Sequence, residues 1–210
     1  MIDLYAAPTS NGLRAKIMLD ETGLDYTLHP VDLVAGANQA PDYLKLNPMG
    51  LIPTIVDSDG PADADGTPFT LTQSMAILAY LAKKSGKFLP QNLSQDMHFQ
   101  RDIMSVATDM TGVLMAIMTI SRMENPHKPT LDDFGARFNR YLTYWDSLMA
   151  GRKYAGGEEV TITDFAFYPV VYRAKAVVPQ FTSDCSNIDR WYAEIGGRPG
   201  VQKGLDFSQG

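Results

Sequence analysis

The sequence predicts an α/β unit over residues 1–86 and an all-α unit over residues 93–210, joined by a linker at 87–92. Two observations carry that prediction. Short strand-like runs recur before residue 73, each bounded by Gly, Pro or Asn turn signals. Beyond Asn92 the strand signal nearly vanishes, and apolar residues return at helical spacing.

The elements follow in chain order. Ile2 to Tyr5 is read as a strand and Ala6 to Asn11 as a loop. A helix then runs to Thr22, with Ala15, Met18, Leu19 and Thr22 on one face and Gly23 as its stop. Tyr5, on the strand, is read as core. Tyr26 to Val31 is a second strand, Asp32 to Gln39 a loop, and Pro41 to Leu46 one or two helical turns. Thr54 to Asp57 and Phe69 to Thr72 are short strands of a hairpin, joined by a polar Gly/Pro-rich turn from Ser58 to Pro68. Ser74 to Lys84 is an amphipathic helix through Ile77, Leu78 and Leu81, ending near Gly86. In the second half, Phe99, Ile103, Val106, Met110, Leu114 and Ile117 mark one long helix. Asn125-Pro126 and Pro129 break the chain before a second, Leu131 to Met149. Val160 to Asp164 opens a third, very apolar helix, and Ile188 to Ile195 is a last one that stops at Gly196-Gly197. Thr161 and Asp164 form an S/T-x-x-D arrangement, a structural cap worth ~1 kcal/mol or more.

Composition excludes several classes of function. Hydrophobic residues make up 45% and charged residues 20%, enough apolar material for a full core. A net charge of −6 offers no basic field to nucleic acid or to an anionic membrane. No apolar run reaches the ~18 residues of a membrane span, and Met1 to Tyr5 lacks the basic start of a signal peptide. Cys185 is the only cysteine, so an internal disulfide and a Cys-x-x-Cys redox pair are both excluded, and a reducing cytoplasm fits. It is read as a structural or incidental thiol. His29, His98 and His127 have no Cys or carboxylate at ligand spacing, so no metal site is expected.

The densest chemical signal is Leu46-Asn47-Pro48-Met49-Gly50-Leu51-Ile52-Pro53-Thr54-Ile55-Val56, followed by Gln73-Ser74-Met75-Ala76-Ile77. Asn-Pro-x-Gly is turn chemistry, with Pro fixing φ and Gly free to take positive φ. Pro53 lacks an N–H and cannot sit inside a fully paired central strand; it marks a bend that accommodates a cis bond. A cis Ile52–Pro53 bond would turn the Ile52 N–H and C=O outward, where an extended peptide could pair as an added strand. Gln73-Ser74 opens a helix, and a helix N-terminus favours a carboxylate. The expected ligand is a short, anionic, extended peptide.

With Ala7-Pro8-Thr9-Ser10-Asn11-Gly12 after the first strand and Thr161-Ile162-Thr163-Asp164-Phe165-Ala166 late in the chain, this order resembles the cytosolic glutathione transferase family. The Pro-Thr-x-Asn-Gly loop is most similar to the bacterial nu-class branch, whose members include disulfide-bond reductases. The resemblance covers almost the whole chain. It implies a thioredoxin-like N-terminal domain, a helical C-terminal domain, a homodimer, and glutathione, reduced or as its disulfide, as cofactor or co-substrate.

On that resemblance Ile52 pairs through its backbone with the cysteinyl part of the tripeptide, and Pro53 holds the edge open. Ser74 donates to the γ-glutamyl carboxylate and caps its helix as well. Gln73 stands where many relatives carry an acid; an amide can bond the ligand but cannot neutralise its α-ammonium, which by analogy falls to Asp102 of the partner subunit. Thr9, Ser10 and Asn11 are the candidate donors to the sulfur, with Asn11 and Thr9 ahead of Ser10, and one of the three caps the helix. Arg137 matches an arginine that reaches the ligand in nu-class relatives, and Gln39 and Lys45 approach its glycyl end. Met110, Leu114, Met115, Met118, Arg122 and Tyr172 are candidate walls for a small hydrophobic or electrophilic co-substrate. The implied activity is attack by the glutathione thiolate on electrophiles, or on organic disulfides or peroxides. The alternative is a non-catalytic binding or scaffold protein of the same fold. A glutaredoxin-like oxidoreductase is disfavoured by the absent cysteine pair.

Overall fold

The computed structural model describes residues 1–61, 66–90, 93–182 and 185–208, and the chain forms two compact units. One comprises Met1–Lys87 together with Arg198–Gly210, and the other Phe88–Gly197. The expected linker lies at this division, with residues 91–92 outside the described residues.

In the first unit the elements are β1 (Ile2–Ala6), α1 (Ser10–Thr22), β2 (Tyr26–Pro30), a 3₁₀ turn (Ala37–Gln39), α2 (Pro41–Leu46), β3 (Thr54–Asp57), β4 (Phe69–Thr72) and α3 (Ser74–Ser85). The sheet order is β2-β1-β3-β4. β1 runs parallel to β2, with Ile2 opposite Tyr26 and Leu4 opposite Leu28. β3 is antiparallel to both neighbours, with Tyr5 opposite Thr54 and Thr54 opposite Thr72. The hairpin reading of β3 and β4 therefore holds, although residues 62–65 of its turn lie outside the described residues. Alternation decides the faces of β1: Ile2, Leu4 and Ala6 are buried while Asp3 and Tyr5 are not. Tyr5 is thus half-buried rather than core, its ring stacked on His29 at 4.5 Å. Leu13, Ile17, Met18 and Leu19 of α1 and Ile77, Leu78 and Leu81 of α3 fill the interior with Ile55.

The chain end corrects the sequence reading. The last helix was expected to stop at Gly196-Gly197 inside a helical domain reaching residue 210. Instead α9 (Pro199–Leu205) follows α8 (Ser186–Gly196) and packs on α1 in the first unit. Gly204 permits the approach, since a Cβ there would meet Ile17 Cγ1 at 2.5 Å. Arg198 Nε donates to Glu21 Oε1 at 3.0 Å, and Lys16 Nζ donates to the Lys203 carbonyl at 2.8 Å.

The second unit holds α4 (Leu93–Met104), a π-helical turn (Ser105–Met110), α5 (Thr111–Ser121), α6 (Lys128–Met149), α7 (Ile162–Val177), a 3₁₀ turn (Pro179–Phe181) and α8. The expected single long helix is therefore interrupted, and at the π-turn the Thr111 N–H and hydroxyl both reach back five residues to the Val106 carbonyl. Residues Asp96–Ser121 are also long and apolar enough to cross a membrane by length and composition, which the absence of an unbroken apolar run had not suggested. Much of that apolarity serves the unit's interior: Phe99, Ile103, Val106, Met110, Leu114 and Ile117 are buried with Phe138, Trp145, Phe165 and Trp191. α6 begins three residues earlier than read, at Lys128, with Pro129 in its first turn where a missing N–H is harmless. Thr161 caps α7 in a capping box with Asp164, whose carboxylate accepts from Thr161 N at 2.9 Å, Ala155 N at 2.8 Å and Trp191 Nε1 at 2.8 Å.

Candidate functional site

In the first unit a cavity of about 90 Å³ is lined by Asn11, Asn47, Met49, Leu51, Ile52, Pro53, Thr72, Gln73 and Ser74. Four elements deliver these residues: the head of α1, the turn entering β3, the end of β4 and the tip of α3.

The turn is held by its own side chains. Gly50 N–H returns to the Asn47 carbonyl at 2.8 Å, and Met49 N–H donates to Asn47 Oδ1 at 3.1 Å. Asn47 Nδ2 and Tyr43 O–H both donate to the Leu51 carbonyl at 2.6 Å. The Ile52–Pro53 bond is cis. Next to the pinned Leu51 carbonyl, the Ile52 N–H and C=O have no hydrogen-bond partner among the described residues. That is an open main-chain edge one residue long.

At the tip of α3, Ile77 N–H to Gln73 C=O at 3.0 Å is the first rung. The N–H groups of Ser74, Met75 and Ala76 therefore have no intrahelical acceptor. Gln73 has φ 69° and ψ 110°, a region that costs a non-glycine residue on the order of 1–3 kcal/mol and that clusters at ligand sites. Ser74 is 7% exposed.

α1 starts where Thr9 Oγ1 accepts from Gly12 N–H at 3.2 Å. Gly12 is required here, because a Cβ would meet the Ala7 carbonyl oxygen at 2.0 Å. Thr9 is thus the member of Thr9, Ser10 and Asn11 that caps the helix, and Asn11 is the member that lines the cavity. Ser10, half-buried, heads the helix without lining it. Behind Asn11 lies Arg14, 1% exposed, whose Nη1 donates to Asn11 Oδ1 and, at 3.3 Å, to Ser74 Oγ. Burial pushes the Arg14 guanidinium down to about 9, still protonated at neutral pH.

The remaining expected site residues are not among those lining this cavity. Gln39 is exposed and spends Nε2 on the Gly50 carbonyl at 3.2 Å, and Lys45 pairs with Asp42 at 2.7 Å on an exposed turn of α2. In the helical unit Arg137 pairs with Asp133 at 3.2 Å and covers the Phe134 ring. Met110, Leu114 and Met118 are buried in that unit's interior because the helical stripe they mark is its core face. Met115 and Arg122 are exposed, and Tyr172 stacks on Tyr168. Asp102 is corrected as well: it is buried and bonded within its own chain to Arg101 at 2.7 Å and to Arg152 at 3.1 Å. A larger open groove of about 370 Å³ in the helical unit passes His98, Arg152, Glu158 and Glu159, and none of the expected site residues lines it.

Sequence reasoning missed Arg14, Asn47 and Thr72. Asn47 stood inside the quoted Asn-Pro-x-Gly turn, whereas Arg14, with Lys16 two residues on, reads like any charged helix residue until its neighbours in space are known.

Comparison with known proteins gives a consistent picture. Residues 10–84 match the family model "Glutathione S-transferase, N-terminal domain", and residues 128–194 match "Glutathione S-transferase, C-terminal domain". The chain is 30% identical to the disulfide-bond oxidoreductase YfcG of Escherichia coli (strain K12), over 98% of this chain and 94% of that one. It is 28% identical to glutathione S-transferase 3 of Zea mays, over 96% and 92%. Its fold superposes on a glutathione transferase from Burkholderia graminis carrying two glutathione molecules per subunit, with a TM-score of 0.89, 31% identity, and 99% and 88% coverage. A glutathione transferase from Pseudomonas putida with one glutathione disulfide per subunit gives 0.87, 31%, 99% and 91%.

Proposed function

The chain belongs to the glutathione S-transferase family, and from that membership we propose a glutathione-dependent enzyme that binds the tripeptide in the cavity of Asn11, Ile52 and Ser74. The observation that carries this reading is the unshared Ile52 edge beside cis-Pro53, set against the open first turn of α3. The donors suit the ligand. An extended peptide pairs with such an edge as a strand would, and the Ser74 and Met75 N–H groups favour a carboxylate at the helix tip. Gln73 bonds the γ-glutamyl end without a charge of its own.

Glutathione supplies a thiol that attacks only as the thiolate. Lowering its pKa by ~2 units from ~8.5 takes ~2.7 kcal/mol of preference for the anion. One or two hydrogen bonds to the charged sulfur, at ~1.5–3 kcal/mol each, supply that. Asn11 Nδ2 is the donor on the cavity lining; the hydroxyls of Thr9 and Ser10, at the head of α1 and off that lining, are the secondary candidates. The residues thus orient the tripeptide and favour the ionised sulfur, and both effects lower the barrier to attack. The acceptor is a small electrophile or an organic disulfide or peroxide. Cys185, the only cysteine, is buried in the helical unit, so exchange runs between glutathione and substrate sulfurs.

The long helical stretch Asp96–Ser121 leaves Met97, Met104 and Met115 more than half exposed, which supports a homodimer. The single cysteine and acidic charge support a cytoplasmic setting. Calorimetric titration with glutathione and its disulfide, paired with turnover of a model electrophile and a model disulfide, tests the reading. Saturable binding with turnover of either substrate is expected. Binding without turnover would favour the scaffold alternative, and no binding would remove both.

A further inference from the structure

We propose that Arg14 is the positioning residue of this cavity: it locks the Asn11 carboxamide with Nδ2 available to the sulfur, and it releases the Ser74 hydroxyl for the γ-glutamyl carboxylate. The inference rests on the glutathione reading of the pocket.

A guanidinium carries donors only, so the Asn11 atom it meets must be the amide oxygen. The amide nitrogen is thereby assigned to the other side of a residue that lines the cavity, and it has no acceptor among the described residues. Asn11 cannot flip without bringing two donors together at a buried site, a conflict that a solvated asparagine would not face.

Ser74 closes the triangle. Its Oγ accepts from Arg14 Nη1 at 3.3 Å and lies 3.3 Å from Asn11 Oδ1, to which it donates. The hydroxyl has one proton. An arriving carboxylate draws it away from Asn11, and the Asn11 oxygen remains satisfied because Arg14 still donates to it. Without Arg14 the same rotation would strand that oxygen, so carboxylate binding at one end of the ligand would disturb the donor at the other. Protonated at neutral pH and buried 1% exposed, Arg14 also sets a positive charge behind the donors.

The test is the pKa of the bound thiol, read from thiolate ultraviolet absorbance against pH in the full-length protein saturated with glutathione. Arg14→Met is expected to raise that pKa by about one unit or more and to lower turnover at neutral pH about tenfold to a hundredfold, the loss of one charge-assisted hydrogen bond. In an Asn11→Ala background the same change is expected to cost little more, because the two residues act through one contact. An unchanged thiol pKa in folded, glutathione-saturated Arg14→Met, or losses that simply add in the double variant, would overturn the assignment. Should Arg14→Met not fold, Arg14→Lys keeps one donor, and a thiol pKa between the two extremes is expected; a pKa equal to that of the unaltered protein overturns the role. Absence of glutathione binding by the unaltered protein would remove the pocket reading and this inference together, an outcome distinct from normal binding with no effect at Arg14.

Discussion

Asn11 offers its oxygen to the protein and its nitrogen to the cavity, and that division predicts a split in kinetics. Asn11→Ala is expected to lower kcat about tenfold or more while the KM for glutathione moves severalfold at most, because a donor to the thiolate matters most when charge sits on sulfur. Steady-state kinetics across glutathione concentrations checks it. Loss of affinity at constant turnover would move Asn11 to a binding role. Ser74→Ala is expected to weaken tripeptide binding by about 1–3 kcal/mol, measured calorimetrically, since a charged carboxylate loses one donor but keeps the helix-tip N–H groups. At this scale the sequence disclosed, through their motifs, Asn11, Ile52, Pro53, Gln73 and Ser74, which line the cavity. It hid Arg14, because an arginine on a helix reads as solvated unless its neighbours in space are known. Asp102 was hidden for the same reason: Arg152, fifty positions away, decides its role.

Elements are held by a few buried carboxylates. Asp57, ending β3, accepts from Tyr80 O–H at 2.6 Å and pairs with Lys84 at 2.7 Å, joining the far end of β3 to the C-terminal half of α3. Burial pushes its carboxyl up, but the hydrogen bonds from Lys84, Tyr80 and the Asp59 N–H together outweigh burial and hold it below the ordinary carboxylate range. With the folded value below the unfolded one, its contribution is complete above the unfolded pKa, near ~3.9, and is lost as pH falls through the folded value. Asp57→Asn is therefore expected to flatten the acid limb of melting temperature against pH. In the helical unit, Asp164→Ala leaves the N–H groups of Thr161 and Ala155 and the Trp191 indole without their acceptor, and should destabilise by about 3–5 kcal/mol in chemical denaturation. The sequence revealed that cap because its partners are three residues apart. The π-turn was illegible, since apolar residues continue through it without a break in pattern. So was α9, a run with Pro199, Gly200 and Gly204 whose local propensity opposes a helix. Docking against α1 makes it one.

For the whole molecule, the two-unit division was legible and its end point was not. The switch from strand to helix signals marks Phe88, but no pattern announces that the chain leaves the helical unit again at Arg198. Gly204→Val is expected to undock α9, since even the added Cβ collides with Ile17 of α1. Hydrogen exchange should then rise along α1 and fall nowhere, with the helices of the other unit unchanged. Increased exchange throughout would instead indicate that the two units melt as one.

The docking of α9 also sets an order of assembly. A ribosome releases the sheet, α1 and α3 first, then the entire helical unit, and only afterwards the residues that cover Lys16, Ile17 and Glu21. Of the two units, the one that emerges first is therefore the last to be sealed, and during synthesis the nascent α/β unit must wait with one side of its first helix bare.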